Sequence, residues 1–139
     1  MASPATAKRV TFDAARAMTD AARRRADEIG VPMCVAVVDA GGNVVTFARM
    51  DGAWLGSIDI AQDKAYTARA FDMGTKDLAP LSQPGQPLFG VHTSNRGRII
   101  VFAGGVPLTA DGTVVGAIGV SGGMVDQDQN VAEAGAAAF

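Results

Sequence analysis

The chain reads as a single α+β domain built around an antiparallel sheet. Three observations point there. Two β-rich runs, 34–39 and 44–50, are joined by a short Gly-rich turn, and a second pair, 98–103 and 113–120, is connected through an Asp111-Gly112 turn signal. Segments with apolar residues at helical spacing stand before, between and after these pairs. Seventeen glycines, clustered after Gly30, belong with tight turns and close backbone approaches. The order is helix, hairpin, helix, loop, hairpin, helix. Hairpins make antiparallel neighbours, which argues against a doubly wound parallel sheet.

In chain order, residues 1–10 are a polar start expected to be loose, with one domain following over 11–139. Thr11 caps a helix to about Glu28, whose apolar stripe is Phe12, Ala15, Ala22, Ala26 and Ile29. Asp20 and Arg24 are spaced for an ion pair on its outer face. Gly30 stops the helix and Pro32 prevents its continuation. After the first hairpin, Ser57 is an N-cap candidate for a helix to about Asp72. Its face of Ile58, Ala61, Ala65 and Ala68 is small enough to pack close to a sheet. A short helix is expected over 75–81, then a long loop over 82–96. The connection 104–112 joins the strands of the second hairpin, and the last helix covers 126–138.

A domain of 139 residues can bury a core without disulfides or metals. The net charge of −2 argues against nucleic acid or an anionic membrane surface as partner. No apolar run approaches the ~20 residues of a membrane span. The first ten residues lack the apolar core of a signal peptide, so a cytoplasmic location is expected. Cys34, the single cysteine, sits in an apolar run and reads as a reduced core residue. There is no HxxH, HxxxE or CxxC spacing for zinc and no nucleophile elbow of a serine hydrolase.

Several features could carry chemistry. Ser121-Gly122-Gly123 lies between a strand and a helix N-terminus, where N–H groups and the helix dipole can hold a carboxylate; the plain alternative is a turn that needs glycine. Asp126 and Asp128 read as capping and polarising that helix. Gly104-Gly105-Val106-Pro107 is either a bulge with a rigid turn or a flat backbone surface for a ligand. Lys64 borders the apolar helix face. It either snorkels to water or is a buried cation aimed at a ligand carboxylate. Arg49 could clamp a carboxylate or pair with Asp51 or Asp39. His92, the only histidine, is the one imidazole available to iron or to proton transfer. Trp54 could line a pocket or a subunit interface.

The motifs VVDAGGNVVTFARMDGA (37–53), IDIAQDKAYTA (58–68), FAGGVPL (102–108) and DGTVVGAIGVSGGMVDQDQNVAEAG (111–135) occur in an order that resembles the GlcG/HbpS-like family. This group includes the C-terminal domain of the PduO cobalamin adenosyltransferases. The resemblance runs from about Thr11 to Phe139. It implies a profilin-like three-layer α/β/α fold with a five-stranded antiparallel sheet, and a homo-oligomer from dimer to octamer. It also implies binding of heme or a similar planar carboxylated molecule, held by Arg49, Lys64, His92, Gly104, Gly105, Pro107, Ser121, Gly122 and Gly123, with His92 toward iron. A cofactor-independent isomerase or tautomerase of small keto or enol acids is the alternative, with His92 or Lys64 as proton carrier. Ala103, Met124 and Asp126 depart from the family's usual residues.

Overall fold

The computed structural model describes residues 8–139. Helix α1 (Phe12–Ile29) begins where the Thr11 side chain accepts a hydrogen bond from the Ala14 N–H. It ends at Gly30, whose left-handed backbone turns its N–H back onto Ala26 and Asp27. Strands β1 (Cys34–Asp39) and β2 (Val44–Arg49) form the first hairpin. Asp39 shapes its turn by accepting from the N–H groups of Gly41 and Asn43. Helix α2 (Ser57–Phe71) and the single turn α3 (Thr75–Leu78) follow, then a loop carrying short 3-10 turns at Ala79–Leu81, Val91–Thr93 and Asn95–Gly97. Strands β3 (Gly105–Ala110) and β4 (Thr113–Ser121) make the second hairpin, and α4 (Val125–Ala136) closes the chain. No helix among the described residues is long and apolar enough to cross a membrane.

The sheet is antiparallel, in the order β2-β1-β4-β3. Alternation along β1 separates two cores of different character. Val35 and Val37 join Met18, Met33, Ile118, Val120 and Val131 under α1 and α4. Cys34, Ala36 and Val38 join Ala61, Ala65, Ala68 and Ala117 under α2. One face is thus filled by bulky side chains and the other by small ones, as the Ala stripe of α2 predicts. Cys34 is buried, and desolvation pushes its thiol pKa up, against the pull of Arg49.

The sheet has four strands, not five. Residues 98–103, expected as a strand, run along α2 instead. The Thr67 hydroxyl accepts from the Ile100 N–H at 3.0 Å, and its one proton is shared between the carbonyls of Asp63, at 2.7 Å, and Arg98, at 3.1 Å. A helix side chain thus takes the place of a neighbouring strand. The partner of β4 is β3, in the stretch expected as a connection. A two-residue turn at Asp111-Gly112, with φ of 52° and 76°, places Ala110 directly opposite Thr113. Pro107 is tolerated because β3 is an edge strand. Thr67→Val is expected to cost about 1–2 kcal/mol by leaving the Ile100 N–H without its acceptor. Urea unfolding measures this, and a cost within about 0.3 kcal/mol of zero would remove the assigned role of Thr67.

Smaller expectations also shift. The ion pairs on α1 are Arg23–Asp27 and Arg25–Glu28, not Asp20–Arg24. Ser57 is the first residue of α2 rather than its cap, which is Gly56. Of the start expected to be loose, residues 1–7 lie outside the described residues. Val10 packs into the core, and the Lys8 ammonium donates to the main-chain oxygen of Phe139.

Candidate functional site

Beneath the junction of β4 and α4 lies an ion pair sealed from water. Lys64 shares the sheet-facing stripe of α2 with Ala61, Ala65 and Ala68. It is 0% exposed, and its Nζ donates to the Val120 carbonyl at 2.8 Å and to Asp128 Oδ2 at 2.9 Å. Asp128, on the first turn of α4, is 2% exposed, and its Oδ1 accepts from the Gly123 N–H at 2.8 Å. Burial pulls the Lys64 pKa below the ordinary lysine value, while the charge and hydrogen bond of Asp128 resist that fall. The lysine does not snorkel, and Asp128 does more than cap its helix.

Glycine backbone makes room for the pair. A Cβ on Gly104, where φ is +124°, would stand 2.6 Å from both Lys64 Nζ and the Val120 carbonyl oxygen. One on Gly105 would meet the Lys64 carbonyl oxygen at 2.5 Å. The amides on this path are satisfied: Gly104 N–H donates to Gln129 Oε1 at 3.0 Å and Gly105 N–H to Thr75 Oγ1 at 2.8 Å. The Phe102 ring, partly exposed, has its centroid 5.1 Å from Lys64 Nζ. Ser121 Oγ shares a 3.1 Å hydrogen bond with Ser57 Oγ. At Gly122, with φ of +153°, a Cβ would press on the Pro32 carbonyl.

The loop at 121–124 therefore already holds an anion, and that anion belongs to the chain. Asp128 takes the Gly123 N–H, and Gln127 Oε1 takes the Met124 N–H at 2.9 Å. Exposed apolar side chains flank this end of the sheet: Trp54 and Leu55 just before α2, and Met124 and Val125 at the start of α4.

The structure brings together Lys64, Gly104, Gly105, Ser121, Gly122 and Gly123. Arg49, Pro107 and His92 stand outside the cluster. Arg49 is exposed at the end of β2, opposite Cys34, and pairs with neither Asp51 nor Asp39. Pro107 pairs with Ala117 along β3. His92 is exposed on the loop, its ring centroid 6.1 Å from that of Phe89. Sequence reasoning missed the Asp128 partnership and the parts of Thr75, Phe102 and Gln129. A lysine inside an alanine stripe signals a missing acid, because buried lysines are almost always paired.

The model of the HbpS-like family, described as haem degrading protein HbpS-like, matches residues 10–137. The chain belongs to the HbpS-like family. Among HbpS-like relatives, an uncharacterized 15.0 kDa protein in the dhaT-dhaS intergenic region of Citrobacter freundii is 45% identical, over 89% of this chain and 87% of its own. The crystal structure of protein ORFY of Klebsiella pneumoniae superposes with a TM-score of 0.93 at 40% identity, covering 100% of this chain and 96% of the other. The crystal structure of a PduOC:heme complex superposes with a TM-score of 0.90 at 38% identity, covering 94% of each chain.

Proposed function

We propose that this HbpS-like chain is a homo-oligomeric, cytoplasmic binder of heme or a similar planar carboxylated molecule. The likeness across 94% of both chains to a structure that holds heme carries this reading. The residues present suit such a ligand. His92 offers a solvent-accessible imidazole, and Phe89 beside it and Leu88 are exposed apolar side chains against which a porphyrin face can lie. Arg49 is the exposed cation offered to a carboxylate, since the Lys64 charge is already met by Asp128. The glycines of 104–105 and 121–123 pack around the chain's own Lys64–Asp128 pair and so shape the wall beside the ligand rather than touch it. Exposed Trp54 and Leu55 support self-association. The single buried cysteine suits a reducing compartment. Bound heme would supply a redox-active iron; the chain supplies the apolar contact, the carboxylate partner and the imidazole.

Hemin titration followed by absorbance tests the reading. A saturable Soret shift is expected, and His92→Ala should weaken binding at least about tenfold, or 1.4 kcal/mol. A flat titration would overturn heme binding, and an unchanged His92→Ala titration would remove His92 from the site. One second reading is a cofactor-independent isomerase of small keto or enol acids with the exposed His92 imidazole as proton carrier, since Lys64 is sealed from water and held by Asp128. A flat hemin titration with a small acid co-purifying in native mass spectrometry would support it.

A further inference from the structure

The proposed heme site makes no use of a cluster of cationic and amide side chains around Tyr66, on α2. Three consecutive residues, Asn95, Arg96 and Gly97, have left-handed backbone, with φ of 51°, 60° and 74°. Two of them carry side chains, and such conformations cost about 1–2 kcal/mol each outside glycine. The turn is held by its surroundings. Asn95 Nδ2 donates to the Tyr66 hydroxyl at 2.9 Å. The Arg98 guanidinium lies 3.7 Å above the centroid of the Tyr66 ring. Asp63 touches Arg98 through Nε alone, at 3.4 Å.

This arrangement leaves donors facing outward. The Arg98 guanidinium rests against the Tyr66 ring and its contact with Asp63 is through Nε, so its terminal nitrogens make no hydrogen bond among the described residues and remain available as a fork. Arg96 makes no hydrogen bond or ion pair among the described residues, and the left-handed turn carries it to the same place. Tyr66, Asn95, Arg96 and Arg98 line one open cavity of about 350 Å³. Nearby Arg69 is occupied by Asp72 and the Ala40 carbonyl and offers the cavity no free donor. Two guanidinium groups, one partly neutralised by Asp63, leave a net positive cavity with an amide and a phenol on its wall.

We infer that this cavity is a binding site for the phosphate group of a small phosphorylated molecule. A phosphate accepts bidentate hydrogen bonds from a guanidinium fork, and its negative charge is met by the net positive charge that Arg96 and Arg98 leave after Asp63. The cavity is larger than phosphate alone requires, leaving space for the organic part of a phosphate monoester.

Amide chemical-shift titration of the full chain with inorganic phosphate and with glucose 6-phosphate, at constant ionic strength, tests the site. Saturable shifts centred on residues 63–69 and 94–98 are expected with both. Arg96→Ala should weaken binding at least about tenfold, while Arg23→Ala on α1 leaves it unchanged. Tighter binding of the sugar phosphate would identify a monoester site, and equal binding a free-phosphate site; either supports the assignment of a phosphate site. Shifts that fail to saturate by about 10 mM, or an Arg96→Ala chain that titrates like wild type, would overturn it. His92→Ala should leave phosphate binding intact, so failure of the heme reading and failure of this one are separable.

Discussion

Asp128→Asn is expected to cost about 3–5 kcal/mol of folding stability at neutral pH. The substitution keeps the shape of the side chain and an oxygen for the Gly123 N–H. What it removes is the negative charge facing a fully buried ammonium. The Lys64 Nζ would keep only the Val120 carbonyl and the Phe102 ring. Burial already lowers its pKa in the folded chain, and loss of Asp128 lowers it further. Between that lowered value and the unfolded value near 10.5, the unfolded chain holds more protons, so stability rises with pH. The deficit of Asp128→Asn against wild type should therefore shrink from neutral pH toward about pH 10. Lys64→Met strands the buried carboxylate instead and should cost a similar amount. The double variant Lys64→Met with Asp128→Leu should recover most of the loss, because a buried ion pair replaced by matched apolar groups is often neutral. Guanidinium unfolding across pH decides the matter. A loss under about 1 kcal/mol, flat with pH, is the signature of a solvent-screened pair and would refute the sealed geometry.

The second large effect is expected at Gly119. This residue lies opposite Ala36 on β4, under α2. A Cβ there would run into the Ala61 carbonyl oxygen and stand 2.5 Å from the Ala65 amide nitrogen. Both are helix backbone, so no side-chain rotation relieves the contact and the whole of α2 must lift. Gly119→Ala should cost at least the upper part of the ~1–3 kcal/mol range for overpacking. Gly56→Ala, where nothing lies within 4 Å of the added Cβ, is the control and should stay within about 0.5 kcal/mol. Equal melting temperatures for the two variants would show that α2 does not rest directly on the sheet.

The parts of this fold that the sequence makes legible are those decided locally. Thr11 and Gly30 bound α1 because caps act within one turn of the helix. The Asp39 turn is written in five residues. The small stripe of α2 announces close packing because its period is visible without knowing its neighbour. The strand at 98–103 misleads because Arg-Ile-Ile-Val-Phe has strand composition, while its actual hydrogen-bond partner is a hydroxyl on a helix. The edge strand at 105–110 hides behind a Gly-Gly-Val-Pro string that resembles a turn. The Lys64–Asp128 pair spans 64 residues, and only the topology brings its ends together.

The contrast between the two faces of the sheet has a consequence for how α2 finds its place. A surface of alanine and glycine has almost no relief, so shape alone does little to stop a helix from sliding along it. Bulky side chains on the α1 and α4 face lock like teeth; the smooth face has none. Registry there falls to two polar fasteners spaced along the helix: Ser57 on Ser121, and Lys64 on Val120 and Asp128. The ion pair thus acts less as glue than as a latch, and a chain without it should hold its layers together while losing the alignment between them.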